Sequence, residues 1–307
     1  MRKNVAFFVR TFSERGTEVS TLNYAIDNQE ILGNKSIIIF FNKDVTDGKE
    51  PKVITSQKVF EKQFKVFHLK FIEEIKNIID NEQITHAYIQ SHGFYRDDYK
   101  FEKKEIWGTC KTIYHYIFGP MARQGSDIRC VIGMELNHKY NKKLKVLPYI
   151  VNKHTYHGDL RNKLQIDKNC LVIGRHGGVD TFDIDFVKKT IIKTLKERND
   201  IIFLFLNTAE FFKHNRIIYL NKTISSKDKS IFIDTCDAML HGRKHGETFG
   251  LAVAEFSAAN KPIISYAKSK DKEHLRILKN KAFIYKNEKD LLRILTSLKK
   301  EFILKND

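Results

Sequence analysis

Two glutamates, Glu247 and Glu255, stand eight residues apart in the stretch HGETFGLAVAEFSAANKPIISYA. The first precedes a glycine turn, and the second sits in a run of Leu, Ala, Val and Phe. A carboxylate in such surroundings is costly unless something pairs with it, because burial strips its hydration. Hydroxyl groups of a sugar or ribose would serve. For Glu255 a solvent-facing helix surface is the plainer alternative, and the segment alone leaves both open. The spacing predicts a short helix with Gly250 in its first turn, ended by Asn260 and stopped by Pro262. Backbone N–H groups unbonded at such a helix start can take a phosphate. Thr248, Phe249 and Leu251 flank that turn, and Arg243 and Lys244 bring positive charge to the loop before it.

A second candidate is Arg175, which follows the apolar run CLVIG and precedes Gly177 and Gly178. A planar guanidinium at a strand end, beside flexible glycines, suits a diphosphate; an exposed arginine on a surface loop is the equal alternative. Gly16, after the first apolar run, would let backbone approach a ligand, with Thr17 or Ser20 capping the next helix. Asp183 and Asp185 have the spacing of a metal-binding carboxylate pair. They precede FVKKTIIKTLKER, however, where acidic residues favour a helix start, and capping is the preferred reading. The histidine pairs His154/His157 and His241/His245 lack an accompanying carboxylate or cysteine cluster, so no metal is expected.

These residues need elements to position them. Apolar runs predict strands at 5–9, 36–41, 87–91, 129–133 and 145–149, then at 170–174, 201–207, 217–221, 238–240, 262–266 and 282–285. Most are continuous β-branched or aromatic runs, the pattern of strands buried on both faces. Between them lie amphipathic stretches: FVKKTIIKTLKER puts Val187, Ile191, Ile192 and Leu195 on one face, and FKVFHLKFIEEIKNIID and EKDLLRILTSLKKEFIL read alike. Alternation of the two predicts an α/β protein with doubly wound sheets. The chain of 307 residues suits two domains. The polar stretch 149–169 marks the boundary, giving 1–152 and 153–290, with a C-terminal helix at about 288–307 free to pack back on the first domain.

The segment GETFGLAVAEFSAANKPII resembles the E-x-F-G-x-x-x-x-E signature of retaining glycosyltransferases of the GT-B fold, family 4 type, through Glu247, Phe249, Gly250 and Glu255. VIGRHGGVDTFDIDFVKKTI resembles the strand and arginine that open the donor domain of such enzymes, and RGTEVSTLNYA resembles their first glycine loop. CKTIYHYIFGP places His115 where relatives carry a histidine near the donor phosphates and sugar; packing in an aromatic segment is the alternative. The resemblance implies two Rossmann-like domains facing across a cleft, the first an acceptor-side domain trimmed relative to the family. It implies that His115, Glu247 and Arg175 are catalytic. Glu247 would contact sugar hydroxyls, Glu255 the ribose, and Arg175 the leaving diphosphate. Gly16, Arg243, Lys244, Thr248, Phe249, Gly250 and Leu251 would complete the donor site. One departure is Asp180, where many relatives have a lysine; Arg243 or Lys244 would supply that charge. The donor implied is a nucleotide-sugar, UDP- or GDP-linked, used as substrate without a cofactor or metal.

A formal charge of +17 attracts phosphate-bearing partners, but the lysines are spread along the chain and no aromatic–basic repeat occurs. Competing readings are a glycosyltransferase acting on modified DNA and a non-catalytic binder of phosphate or nucleotide-sugar. The acceptor class, whether glycan, protein or lipid, stays open, with peripheral membrane contact if it is a lipid. No run of eighteen apolar residues occurs. NVAFFV reads as a first strand and not a leader. The scattered Cys110, Cys130, Cys170 and Cys236 suggest neither zinc nor disulfides, so a reducing cytoplasm is expected.

Overall fold

The computed structural model of the chain describes residues 2–10, 12, 16–41, 55–93, 100–119, 125–151, 156–223 and 225–305. It divides into two compact units, Met1–Ile150 and Val151–Asp307.

In the first unit the strands are β1 (Asn4–Val9), β2 (Lys35–Phe41), β3 (Lys65–Leu69), β4 (His86–Ser91), β5 (Lys111–Tyr116), β6 (Ile128–Val131) and β7 (Lys145–Val146). They form one parallel sheet in the order β3-β2-β1-β4-β5-β6-β7. Among the described residues, α-helices accompany them at α1 (Gly16–Glu30), α2 (Thr55–Gln63), α3 (Glu74–Glu82) and α4 (Met134–Lys139). Val5, Phe7 and Val9 alternate onto one core face with Phe12, Ile38, Phe40 and Phe60.

Two expectations give way here. FKVFHLKFIEEIKNIID is not one helix: its first part is the edge strand β3, paired with β2, and only Ile75, Ile78 and Ile79, at helical spacing, lie on the buried face of α3. KTIYHY, predicted as neither helix nor strand, is β5, held between β4 and β6. Lys111, Thr112 and His115 break up its apolar residues, so the segment fits a strand as well as a loop until neighbours on both sides are known.

The second unit opens with β8 (Leu171–His176), α5 (Asp185–Glu197), β9 (Ile201–Leu206), β10 (Ile217–Leu220), α6 (Ser226–Thr235) and β11 (Ala238–His241). There follow β12 (Gly246–Glu247), α7 (Leu251–Ala258), β13 (Ile263–Tyr266), β14 (Asp271–Lys272), α8 (Glu273–Leu278), β15 (Ala282–Tyr285), α9 (Glu288–Ser297) and α10 (Lys300–Lys305). The main sheet is parallel, in the order β10-β9-β8-β11-β13-β15, and β12 pairs with β14. Leu171, Ile173, Phe203 and Phe205 face α5 and α9, while Val172, Ile202 and Leu204 face α6 and α7. Leu291, Leu295 and Leu298 belong to the first of these clusters, so the second unit continues past residue 290 into the C-terminal helix. The chain leaves β8 toward β9 and β10 and returns on its other side at β11. The helices that follow β8 and β11, α5 and α7, therefore lie on opposite faces of the sheet, and the crevice at the carboxyl ends of these strands is where such sheets take ligands.

Candidate functional site

Each of those two strands ends in a histidine, His176 on β8 and His241 on β11. The loops beyond them are stitched together. The Asp183 amide donates to the Gly242 carbonyl at 3.3 Å, and Asp183 Oδ1 accepts from the Lys244 amide at 2.7 Å. Asp183 thus joins two loops and caps no helix; Ile184 occupies the N-cap of α5, and only Asp185 lies in its first turn.

Arg175 precedes His176 and is 4% exposed. Its Nη1 donates to the Asn207 carbonyl at 3.1 Å and to the Thr208 hydroxyl. Its Nη2 donates to the Gly178 carbonyl at 2.9 Å and to the Thr181 hydroxyl, and the Phe182 ring lies 5.6 Å away. Both terminal nitrogens are therefore spent on the loops after β8 and β9, which corrects the expectation of an open fork for a diphosphate. Burial pushes its pKa down to about 10, opposed by Glu247 and Asp183 and helped by Arg243, so it stays cationic at neutral pH.

Glu247 forms half of β12. Gly246, beside it, has φ 74°, and a Cβ there would lie 2.0 Å from the Asp271 carbonyl oxygen, so only glycine lets β12 meet β14. Glu247 Oε2 accepts from Arg243 Nη1 at 2.8 Å, and Oε1 lies 3.3 Å from His241 Nε2. Burial pushes the Glu247 carboxyl up, but His241 and Arg243 outweigh it and hold it at about 2. Gly250 lies just before α7, as its N-cap at φ 91°, not in its first turn. Thr248 and Phe249 are buried, Leu251 begins the helix half-buried, and Lys244 is exposed.

Glu255 lies on α7, where Lys229 Nζ of α6 contacts Oε1 at 2.7 Å and His176 Nε2 lies 3.0 Å from Oε2. Burial raises its pKa, and these two partners together bring it down to about 2. His176 also stacks on Phe256 and meets Phe232 edge-on. Phe232 lines a neighbouring cavity of about 380 Å³, with Leu164, Leu206 and Leu220 as apolar walls and Lys222 and Asp228 as polar ones.

In the first unit, His115 on β5 is fully buried, packed against Tyr24, Tyr88 and Tyr149, and its Nδ1 lies 2.7 Å from the Tyr88 hydroxyl. Burial drives its pKa down to about 3, against a contact with the Leu147 backbone. The geometry gives it a packing role and no exposed face for a donor. Gly16 opens α1, 3.9 Å from Tyr149 at its would-be Cβ; residues 13–15 before it lie outside the described residues. Thr17 and Ser20 sit inside α1, where Ser20 donates to the Thr17 carbonyl.

The second unit thus brings together Arg175, Arg243, Lys244, Glu247, Gly250 and Glu255. The histidine pairs do not converge: His241 turns to Glu247, His245 to Asp271 at 2.9 Å, and His157 to Asp234, while His154 lies outside the described residues. Among the described residues no group of three His, Cys, Asp or Glu could hold a metal, and no helix is long and apolar enough to cross a membrane. His176 and Lys229 went unread in the sequence. Their only signal was position: one follows Arg175, and the other lies on a helix that α7 packs beside.

The fold has known relatives. A glycosyltransferase from Rickettsia africae ESF-5 superposes with a TM-score of 0.69 at 13% identity, over 99% of this chain and 88% of that one. Anabaena Alr3699/HepE, solved with UDP and glucose, gives 0.68 at 11% over 96% and 89%. Sucrose-phosphate synthase from Thermosynechococcus elongatus gives 0.63 at 10% over 99% and 94%. No protein-family profile and no curated protein sequence matches the chain. At such identities the likeness is one of fold: the chain has the α/β GT-B fold, with two Rossmann-like units.

Proposed function

We propose that the chain is a glycosyltransferase of the retaining, family 4 type, moving a sugar from a UDP- or GDP-linked donor to an acceptor without a metal. The observation that carries this reading is the pair Glu247 and Glu255, each ionised and each within 3.3 Å of a strand-end histidine nitrogen at the strand-order switch of the second sheet. Each carboxylate oxygen keeps a lone pair beyond its present partner, enough to accept sugar or ribose hydroxyls. Glu247 takes the donor sugar and Glu255 the ribose, with the base in the adjoining cavity of about 380 Å³. The diphosphate lies toward the α7 start, where first-turn N–H groups, Arg243 and Lys244 meet it. Arg175 acts from behind, holding the two loops that shape the crevice.

In the reaction, the bond from the anomeric carbon to the phosphate oxygen breaks as the acceptor oxygen bonds to that carbon on the same face. The acceptor proton passes to the departing phosphate. Fixed cations and dipoles around the diphosphate lower this barrier because they need no reorganisation as charge develops. Support for a UDP-linked donor comes from HepE, a relative in fold solved with UDP and glucose.

A thermal-shift panel of UDP, GDP, ADP, CDP and their sugars tests the reading. A ligand at about 100 times its Kd stabilises by roughly 2.7 kcal/mol, on the order of several degrees in Tm. A flat panel across all of them would remove the basis for the proposal.

A further inference from the structure

Behind Glu247 lies a chain of buried polar side chains that the donor site does not itself use. His241 is the last residue of β11, and Ser265 is its register partner on β13. The Ser265 hydroxyl lies 3.2 Å from His241 Nδ1 and 3.2 Å from Nε2 of His274, on α8. The two imidazole rings sit 4.6 Å apart, and the three residues are 5%, 0% and 1% exposed. Gly250 comes close as well: a Cβ there would be 3.2 Å from the His274 Cβ. The Tyr285 hydroxyl donates to the His241 carbonyl at 2.9 Å and fixes the backbone from the far side.

Hydrogen-bond polarity restricts what this chain can do. Glu247 is ionised, so the nitrogen facing it must donate. A neutral His241 that donates from Nε2 has a bare Nδ1, which must accept from the Ser265 hydroxyl. Ser265 then has only lone pairs for His274, whose Nε2 must carry the proton. With His241 neutral, every polarity follows from the Glu247 charge. Arg243 already meets that charge on the other oxygen at 2.8 Å, so a neutral His241 completes the pair without adding a further cation. His274 is held neutral: burial drives its pKa down to about 3, against the charge and backbone of Glu247.

Resting on the glycosyltransferase reading, we infer that Ser265 and His274 are positioning residues, which lock His241 in its Nε2–H form and thereby aim the Glu247 carboxylate at the donor sugar. A histidine left free to choose its tautomer would spend part of its time with a bare nitrogen against a carboxylate, repelling the group it should hold.

The test has two independent readouts. In the full chain labelled with ¹⁵N-histidine, nitrogen shifts at neutral pH assign the tautomers without any turnover. Neutral Nε2–H forms at both His241 and His274 are expected; Nδ1–H at either, or a charged His241, overturns the proposal. UDP-glucose turnover supplies the second readout. Ser265→Ala lowers kcat about tenfold with KM little changed, the weight of one hydrogen bond. In a His241→Gln background, where the amide donor has no tautomer to choose, Ser265→Ala costs nothing more. His274→Gln, which keeps a donor near the Nε2 position, recovers most of what His274→Leu loses. Equal losses from Ser265→Ala in both backgrounds would reduce the chain to core packing. Absence of wild-type turnover with any nucleotide-sugar would sink the functional reading while leaving the tautomer result to decide the chain.

Discussion

Glu247 and Glu255 hold matched sets of partners: each has one oxygen near the Nε2 of a strand-end histidine and the other near a lysine or arginine nitrogen. The distances are 3.3 and 2.8 Å at Glu247, and 3.0 and 2.7 Å at Glu255. The histidines end β11 and β8, neighbours in the sheet. Two carboxylates eight residues apart are thus fixed by the sheet, not by the short helix that carries one of them.

Their roles separate in kinetics. Glu247→Gln keeps shape but loses the charge facing the sugar, and kcat should fall about 10²-fold, as when a preorganised polar group at the reacting centre is removed. Binding of free UDP should be nearly unchanged. Glu255→Gln should instead raise the UDP Kd by roughly tenfold, the worth of one charge-assisted hydrogen bond. Calorimetry with UDP and initial rates with UDP-glucose distinguish them, and identical profiles would contradict the assignment.

Acid should unfold the second unit through these same groups. Both carboxyls sit at about 2 when folded, against an ordinary 4.5. A folded pKa below the unfolded one adds stability that is complete above the unfolded value and is lost as pH falls through the folded value. The stability curve should therefore decline from about pH 4.5 toward pH 2. The double variant Glu247→Gln/Glu255→Gln should show a shallower decline in denaturant midpoints across that window. An unchanged slope would mean that the pairs form equally well in the unfolded chain.

The carboxylates, the glycine turn and the helix around them were legible in the sequence, because spacing along one segment is local. Their partners were not. His176 and Lys229 reach Glu255 from two other elements, and only the order β9-β8-β11 puts His176 beside α7. Strand order is a non-local property that one sequence does not print. Arg175 shows a different gap. Its type and strand-end position were readable, but where its donors go depends on the Asn207 and Thr208 turn, about thirty residues on. The helix predicted over β3 failed because KVFHL is apolar enough for either state, and pairing with β2 decided it.

Asp183 bears on the metal question. Its Oδ1 accepts from the Lys244 amide at 2.7 Å, which ties down the loop that carries Arg243. Asp183→Asn should weaken that tie by about 1 kcal/mol and raise KM for UDP-glucose modestly. Turnover should persist in excess EDTA. Full loss in EDTA, restored by manganese, would instead make Asp183 and Asp185 a metal pair.

Gly250→Ala probes how tightly the site is built. The backbone there has φ 91°, and a Cβ would meet the Glu247 Cβ at 3.1 Å and the His274 Cβ at 3.2 Å. Strain and crowding together should cost about 1–3 kcal/mol of stability. Because both contacts belong to the catalytic glutamate and its supporting histidine, kcat should fall further than stability alone explains. Urea unfolding and initial rates on the same preparation check both halves.

Arg175 yields the last prediction. Its terminal nitrogens donate to two carbonyls and two hydroxyls at a site 4% exposed. Lysine offers a point charge that cannot bridge the loops after β8 and β9. Arg175→Lys should therefore destabilise the second unit, and Arg175→Ala should cost more, about 3 kcal/mol, since buried acceptors lose their donors. Donor affinity and turnover should fall in step with the loosened loops. A direct phosphate contact predicts the opposite split, with turnover lost in a protein as stable as the parent. Chemical denaturation of both variants, run beside UDP-glucose kinetics, decides between an arginine that builds the crevice and one that grips the leaving group.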